Sequence, residues 1–402
     1  MRPAYEQEAS RLLGECSGRG IGVEIVGGAT KRQIGRPTNV THSMSSRMMR
    51  GITLHEPAEL VMSARAGTTV AEVMQVLARS GQMLAFEPTE YAGLTHERAE
   101  GATIGAVFAT NASGPRRVHA GAARDHLLGI RAVTGRGDIF KSGGRVMKNV
   151  TGYDVARGLC GSWGTLALLT EVTFKVVPMP PATTTLVLLG LPDEIAVEVL
   201  TAAMGTPYEI SGAVHLQQSL AVCIDHAGLR SQGTAITALR LENTEKSVAY
   251  RREKMIAELA AYGRVHDLDT TNSVAFWDEM RRLSFFSEGM APIWRISTAP
   301  ARGAKVVQAI SRTMQARAMY DWAGGLVWVE VDATADAGES EIRRVVATHG
   351  GHATLMRAEP AVRAAVDVFH PLDPGIARLT ARLKSTFDPA GILNPGRMYS
   401  TF

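Results

Sequence analysis

The segment GATIGAVFATNASGPRRVHAG, residues 101–121, is dominated by glycine, alanine, serine and threonine. It exposes backbone donors and acceptors with little side-chain bulk, as close contact with a flat ligand requires. Small residues also allow two elements to pack closely. The segment alone therefore leaves open whether it binds a ligand or only packs.

A second glycine-rich block, VEIVGGATKRQIG, lies upstream at residues 23–35. A β-type run leads into Gly27 and Gly28, whose backbone N–H groups can converge on an anion. Thr30 and Lys31 add a hydroxyl group and a positive charge. The loop is a candidate pyrophosphate cradle, and a plain surface turn is the alternative because Gly-Gly turns are common.

A third block, VMKNVTGYDVARGLCGSWGTLALLTEVTFKV at residues 146–176, contains glycine turns, a short helix and an apolar strand. Pro178, Pro180 and Pro181 follow, and prolines so closely spaced cannot sustain a helix or a central strand. We predict a boundary there. One domain spans residues 1–178, a second spans 182–372, and a helix and strap at 373–402 return to the first.

The second domain alternates strand and helix patterns. Predicted strands include TTTLVLLGL (183–191), IWRISTA (293–299) and GLVWVEV (325–331), and GAVHLQQ with SLAVCID (212–225) is predicted to form a hairpin. Helices are predicted at 192–204, 301–314 and 338–350. This order indicates an antiparallel sheet covered by helices, in a fold of the α+β class.

Composition and motifs exclude several functions. The 43 Lys and Arg residues against 39 Asp and Glu residues are spread along the 402-residue chain, which argues against nucleic-acid binding. Three distant cysteines predict neither disulfides nor a metal site and favour a reducing, cytoplasmic setting, and no apolar stretch is long enough to cross a membrane. P-loop, complete GxGxxG, HExxH and GxSxG motifs are missing.

The three blocks, with LHEPAELVMSARAGTTVAEVMQVLARSGQMLAFEP at residues 54–88, resemble the PCMH-type FAD-binding domain of the vanillyl-alcohol-oxidase-like family. The C-terminal LKSTFDPAGILNPGRM (383–398) is similar to the closing strap of its FAD-linked oxidases. SGPRR, GSWGTL and GGHATL most resemble the FAD-binding subunits of bacterial glycolate oxidases. The resemblance implies a two-part FAD-binding domain followed by a ferredoxin-like α+β cap, with the strap returning to the FAD domain.

The resemblance also implies which residues contact FAD. Residues 66–70 would lie around the cofactor. The individual positions are Gly27, Gly28, Ala29, Thr30, Lys31, Gly35, Pro88, Gly101, Thr103, Ile104, Gly105, Asn111, Ser113, Gly114, Gly121, Arg124, Asp125, Gly152, Asp154, Gly161, Gly164, Thr165, Leu166, Leu168 and Asn394.

Two departures from the family shape the functional prediction. The loop at residues 27–35 lacks the histidine or cysteine through which relatives attach FAD covalently, so we predict non-covalent FAD. The family's histidine-rich metal signature is missing from GLVWVEVDATADAGE (325–339), so no metal site is predicted. No catalytic residue is assigned. The candidates are His352 and Arg295, and His370 is a weaker one.

The resemblance implies an FAD-dependent oxidoreductase that acts on an alcohol group. The chain would be one subunit of a glycolate-oxidising complex, beside a larger catalytic flavoprotein and an iron–sulfur subunit that receives electrons. It would be cytoplasmic and reach the inner membrane only through these partners. The alternative is a self-sufficient FAD oxidase or dehydrogenase of a 2-hydroxy acid or another alcohol.

Overall fold

The computed structural model describes residues 1–95, 101–146, 152–287 and 289–401. Parts of the GGRVMKNVTGYD motif, at residues 147–151, lie outside the described residues. The helices are α1 (Glu6–Gly18), α2 (Val70–Arg79), α3 (Ala92–Thr95), α4 (Ile104–Thr110), α5 (Arg117–Ala120), α6 (Ala123–His126), α7 (Val155–Leu159), α8 (Asp193–Met204), α9 (Gln218–Ala221), α10 (Ala227–Arg230), α11 (Glu245–Leu259), α12 (Thr270–Arg282), α13 (Gly303–Ile310), α14 (Glu339–His349), α15 (Pro360–Ala365) and α16 (Pro374–Phe387).

The strands alternate with these helices along the whole chain. They are β1 (Val23–Val26), β2 (His42–Ser45), β3 (Ile52–Glu56), β4 (Val61–Arg65), β5 (Gln82–Met83), β6 (Leu127–Thr134), β7 (Ile139–Gly143), β8 (Ala167–Lys175), β9 (Val177–Pro178), β10 (Ala182–Leu189), β11 (Gly212–Leu216), β12 (Ile236–Asn243), β13 (His266–Leu268), β14 (Ile293–Ser297), β15 (Ala316–Asp321), β16 (Leu326–Val331) and β17 (His352–Arg357).

The N-terminal half is built on an antiparallel five-stranded sheet with the order β3-β4-β8-β6-β7. Its central strand β8 carries Val172 and Phe174, which are fully buried. Phe174 packs on Phe108 of α4, with ring centroids 5.4 Å apart. The small residues of residues 101–121 thus lie against this sheet, and α4 begins immediately after Thr103.

A separate two-stranded parallel sheet precedes it. β1 pairs with β2 from Val23–His42 to Val26–Ser45, and the loop at residues 27–35 begins where β1 ends. Val23 also bridges to Leu393 of the C-terminal segment. The fold therefore places the loop at residues 27–35 beside the C-terminal segment.

The C-terminal half is built on an antiparallel eight-stranded sheet with the order β13-β10-β12-β11-β15-β16-β14-β17. Its strands lie between Ala182 and Arg357. The α+β class predicted from the sequence is confirmed. The domain bounds at 178, 182 and 372 stay a prediction.

One element prediction is wrong. SLAVCID (219–225) is not the second strand of a hairpin, because residues 218–221 form α9 and β11 pairs with β12 instead. Leu220 and Ala221 are buried, so this apolar run packs as a short helix. A four-residue helix is too short to show a helical period, and its apolar content alone resembles a strand.

The two sheets share one hydrophobic core. A continuous cluster of buried side chains includes Phe174 of β8, Trp277 of α12 and Trp328 of β16. Hydrogen bonds also cross between the halves: the Trp322 indole N–H donates to the Gly114 carbonyl at 3.0 Å. The cavities described below lie along this junction and along the end of β1.

Candidate functional site

The loop after β1 forms one wall of a cavity that we call the glycine cavity. Gly27, Ala29, Thr30 and Lys31 line it from this loop. The opposite walls come from α4, from the segment 163–169 and from Arg397 near the C-terminus. Segments distant in sequence therefore converge on the first predicted anion-binding turn.

The glycines of this cavity are required by close backbone approach. A Cβ atom at Gly27 would overlap the Thr103 hydroxyl oxygen, and one at Gly28 would overlap the Gly101 carbonyl oxygen. At Gly105, a Cβ atom would overlap Ala66. The two glycine-rich blocks are thus in direct contact, and only residues without a side chain leave room for that contact.

Thr103 provides an unsatisfied polar atom in this contact. Its side chain is fully buried, and its hydroxyl group has no hydrogen-bond partner within the described part of the chain. Burying a hydroxyl group without a partner is costly. A ligand oxygen beside Gly27 would supply the missing partner.

Several non-glycine residues around the cavity have left-handed backbone conformations. Ala29 has φ 63°, Trp163 has φ 54° and Asn394 has φ 43°. Such strain persists where the surrounding structure holds the backbone in place, and it is concentrated at ligand sites. Here it turns the chain sharply at the cavity wall.

Lys31 is the buried cation of the glycine cavity, with 6% of its surface exposed. Its Nζ lies 3.4 Å from the Thr30 hydroxyl oxygen and 5.6 Å from the centroid of the Tyr91 ring. Burial lowers the pKa of Lys31 to about 8. An anion in the cavity would restore the charge balance and raise this pKa again.

The C-terminal strap fixes the cavity wall. The side chain of Asn394 accepts a hydrogen bond from the Ile25 N–H and donates one to the Trp163 carbonyl, both at 2.7 Å. Arg397 donates to the Lys31 carbonyl at 2.6 Å. The strap therefore holds both the loop after β1 and the turn at Trp163.

A second cavity, of about 420 Å³, lies between the two halves of the molecule, and we call it the arginine cavity. It shares Thr110 and Trp163 with the glycine cavity, so the two adjoin. Arg117 enters it from α5, and Arg295 enters it from β14. Burial lowers the pKa of both guanidinium groups.

His352 and His370 line the arginine cavity, and their ring centroids are 6.4 Å apart. Partial burial and the Arg295 charge lower the pKa of His352 to about 4. Burial and the Arg343 guanidinium group lower the pKa of His370, whose Nδ1 lies 3.0 Å from Arg343. Both rings are therefore neutral at pH 7, and no cluster that could hold a metal ion occurs among the described side chains.

The structure distributes the predicted cofactor contacts unevenly. Those that line the glycine cavity are Gly27, Ala29, Thr30, Lys31, Gly105, Gly164 and Leu168. Asn111 and Gly161 line the arginine cavity. Gly28, Gly101, Thr103 and Asn394 support the cavity walls through the contacts given above.

The remaining predicted contacts line neither cavity, and most have local structural contacts. Asp154 caps α7 by accepting a hydrogen bond from the Arg157 N–H. Asp125 accepts one from the Ala122 N–H, and the Arg124 N–H donates to Asn111. The others in this group are Gly35, Pro88, Ile104, Ser113, Gly114, Gly121, Gly152, Thr165 and Leu166. Their role in FAD binding stays a prediction.

Sequence reasoning missed Trp163, Arg397 and Arg117. Arg117 is the last residue of SGPRR, which marked the block as a whole but not this side chain, and Arg397 lies in the strap motif NPGRM. Trp163 was visible only as part of GSWGTL. Each faces a cavity because of tertiary packing that no local pattern reports.

Comparisons with known proteins agree with this architecture. The family model of an FAD binding domain matches residues 1–143. The glycolate oxidase subunit GlcE of Escherichia coli (strain K12) is 34% identical over 94% of this chain and 92% of its own length. The glycolate oxidase subunit GlcD of Bacillus subtilis (strain 168) is 23% identical over 99% of this chain and 88% of its own.

A solved structure of p-cresol methylhydroxylase with substrate bound superimposes with a TM-score of 0.74 and 12% identity, over 99% of this chain and 88% of that one. The predicted PCMH-type fold is thereby confirmed. The FAD cofactor is supported by the family match to the N-terminal residues.

Proposed function

Because this chain belongs to the family of the glycolate oxidase subunit GlcE, whose members are FAD-dependent oxidoreductases, we propose that it is the FAD-binding subunit of a glycolate-oxidising complex. The complex would oxidise glycolate to glyoxylate. A longer flavoprotein would be its second flavin subunit, and an iron–sulfur subunit would receive the electrons. FAD supplies the ring that accepts a hydride from the alcohol carbon.

The observation that carries this proposal is the extent of the likeness to GlcE. The aligned region covers 94% of this chain, so it includes the eight-stranded sheet as well as the FAD-binding half. A likeness confined to the first half would indicate only the cofactor. Because the likeness also extends over the eight-stranded sheet, it favours the same role in the same kind of complex.

The glycine cavity fits the pyrophosphate of FAD. The Thr103 hydroxyl group lacks a partner among the described residues, Lys31 supplies positive charge, and the backbone at Gly27 is bare. We assign the pyrophosphate to residues 27–31 and the chain that follows it to residues 101–105. The flavin ring would then reach the arginine cavity past Trp163, which lines both cavities.

We also propose that FAD is held without a covalent bond. The loop at residues 27–35 contains no histidine or cysteine. Cys160 lies near the arginine cavity, but burial raises the pKa of its thiol to about 12, which disfavours the reactive thiolate. Acid precipitation of the holoprotein should leave the yellow colour in the supernatant. Colour that stays with the pellet would contradict this assignment.

The complex is tested by purifying the tagged chain from its own host and counting flavin and iron. We expect a longer flavoprotein and an iron-containing subunit to co-purify, and the assembly to oxidise glycolate. The chain purified alone should retain FAD and show little glycolate oxidation with an acceptor dye. Rapid turnover by the isolated chain would contradict the subunit role.

A second candidate function is a self-sufficient 2-hydroxy acid dehydrogenase. The arginine cavity favours it, because Arg295 and Arg117 can bind a substrate carboxylate next to the flavin site. Anaerobic mixing of the isolated holoprotein with glycolate or D-lactate discriminates between the two. Bleaching of the flavin absorbance would support self-sufficiency, and an unchanged spectrum would support the subunit role.

Within the described residues, no helix is both long and apolar enough to span a membrane. We propose a cytoplasmic location with membrane contact only through partners.

A further inference from the structure

Two guanidinium groups that line the arginine cavity lie over the same indole ring, that of Trp322. The Cζ of Arg117 lies 4.4 Å from the Trp322 ring centroid, and that of Arg295 lies 5.2 Å from it. Neither group has a hydrogen bond or an ion pair to another described residue. No aspartate or glutamate is found among the described residues that line the cavity.

Two buried arginines of this protein are paired with carboxylates. Arg240 donates to both carboxylate oxygens of Glu87, at 2.8 and 2.9 Å. Arg357 donates to Glu330 at 2.8 Å. Arg117 and Arg295 differ from these two arginines, because no described carboxylate forms an ion pair with either of them.

The Asp321 charge raises the pKa of Arg295 and the Asp125 charge raises that of Arg117, but neither carboxylate forms a hydrogen bond or an ion pair with its arginine. The Asp321 carboxylate accepts a hydrogen bond from the Trp322 N–H, and burial raises its pKa to about 7. Asp125 is engaged by the Ala122 N–H. The histidines of the cavity are neutral, as described above. Within the described part of the chain, neither guanidinium group of this pair thus has an ion-pair partner, and burial partly desolvates both.

We propose that the arginine cavity binds a small dianion of the dicarboxylate class, with Arg117 and Arg295 as its two counterions. One carboxylate group balances one guanidinium group and leaves the other charge buried and unpaired. Two carboxylate groups on a short carbon skeleton balance both. The Tyr91 hydroxyl group, on the same cavity wall, is a further donor.

This inference goes beyond the proposed function, because glycolate carries only one negative charge. A dicarboxylate would occupy the space next to the flavin site and exclude a monocarboxylate from it. The chain would then bind a dianion whether or not it oxidises glycolate.

The test measures equilibrium binding to the FAD-loaded chain. Calorimetry and the flavin difference spectrum report the binding, and neither requires turnover. Malonate is the dianionic probe, and acetate and glycolate are the monoanionic ones. We expect malonate to bind at least about tenfold more tightly than acetate. Added salt should weaken malonate binding more than acetate binding.

Variants assign the preference to the two arginines. Arg295→Gln and Arg117→Gln should each reduce the preference for malonate over acetate, whereas Arg295→Lys should retain most of it. Arg264→Gln removes an exposed charge just before β13 and serves as the matched control, with binding unchanged. FAD content and thermal midpoint report whether each variant is folded.

Equal affinity of the wild-type chain for malonate and acetate would overturn the proposal. So would a malonate preference that persists in both glutamine variants. If a glutamine variant does not fold, the proposal is still tested by the affinities of the wild-type chain and of Arg295→Lys for malonate and acetate. Because no step depends on glycolate turnover, a failed glycolate assay leaves the result of this experiment unaffected.

Discussion

Lys31 is buried next to a hydroxyl group and an aromatic ring. The Glu90 charge raises its pKa but does not outweigh burial, so an anion in the glycine cavity would change the charge of Lys31. Its pKa of about 8 belongs to the protein without ligand. The negative charge of the FAD pyrophosphate would raise that pKa. Binding FAD above pH 8 must therefore be accompanied by uptake of a proton.

The expected outcome is a pH-dependent FAD affinity. Below pH 8 the dissociation constant should be flat, and above it the constant should rise by up to about tenfold per pH unit. Fluorescence titration of the apoprotein with FAD between pH 6 and 9.5 measures this. Lys31→Met should bind more weakly and lose the rise, whereas Lys305→Met, an exposed control on α13, should keep it. The same rise in Lys31→Met would rule out Lys31 as the titrating group.

Substitution of Gly27 tests more directly whether residues 27–31 bind the pyrophosphate. In Gly27→Ala the added methyl group would overlap the Thr103 hydroxyl oxygen, so the loop assigned to the pyrophosphate would have to move away from residues 101–105. We expect FAD affinity to fall by at least about a hundredfold, equivalent to roughly 2.7 kcal/mol, with the fold retained. Flavin absorbance per protein after gel filtration measures this loss. Gly375→Ala, where the new Cβ meets no atom within 4 Å, should retain FAD.

At the residue scale, the backbone segments that the sequence assigns to the cofactor stay a prediction. The sequence named Arg295, His352 and His370, which line the arginine cavity, but it gave no signal for Arg117. Glycine clusters are visible because a bare backbone is itself the signal. Arg117 and Arg295 are 178 residues apart and resemble any other surface arginine until tertiary packing places them against one indole ring. Local patterns carry no information on that contact.

Helix α16 is unusual among the longer helices because Lys384 is its only described residue that is buried. Lys384 anchors it by donating to Asp388 at 2.6 Å and to the Thr165 carbonyl at 2.8 Å. On the outer side, Ile376, Leu379 and Leu383 are 51%, 61% and 41% exposed. Their spacing of three and four residues forms a continuous apolar stripe.

We expect this stripe to contact the longer flavoprotein of the proposed complex. Arg378 and Arg382 flank it, so the complementary surface should be apolar with an acidic rim. Leu379→Glu should abolish co-purification of the partner while FAD content and thermal midpoint stay unchanged. Tyr250→Glu on α11, where the side chain is 59% exposed, is the control that should keep the partner. Retention of the partner by Leu379→Glu would place the interface elsewhere.

Long periodic elements were predictable, and short or polar-interrupted ones were not. The patterns correctly identified β10, β14, β16 and α8, because their apolar runs are long. The central strand β12 was missed, since Thr237 and Arg240 interrupt its apolar run and both side chains are buried against partners that the sequence does not reveal. The error at α9 has the same origin, because packing rather than propensity determines such short segments.

At the scale of the whole molecule, a buried charge cluster joins the two halves. Glu87 belongs to the N-terminal half and pairs with Arg240 of β12. Arg116 pairs with Glu87 at 3.1 Å and also with Glu242 of β12. Two carboxylates and two guanidinium groups therefore compensate each other across the junction, close to the cavities that the junction creates.

Glu87 is the member whose loss should matter most. Burial would raise the pKa of Glu87, but the Arg240 and Arg116 charges outweigh it and lower the pKa to about 2. In Glu87→Gln, both guanidinium groups lose a partner, and we expect the free energy of unfolding at pH 7 to fall by about 3 kcal/mol. Urea unfolding of the holoprotein measures this change.

The contribution of ionised Glu87 to the free energy of unfolding depends on pH. Since the folded pKa lies below the unfolded value near 4.5, the Glu87 contribution is complete above pH 4.5 and disappears as the pH falls toward 2. The stability difference between wild type and Glu87→Gln should therefore be constant from pH 7 to 5 and should shrink below pH 4.5. Glu15→Gln removes the same charge from an exposed pair with Arg11, so its difference should stay near zero at every pH. A Glu87→Gln difference that stays equally large at pH 3 would mean that the lost stability comes from packing at the junction and not from the ionised carboxylate.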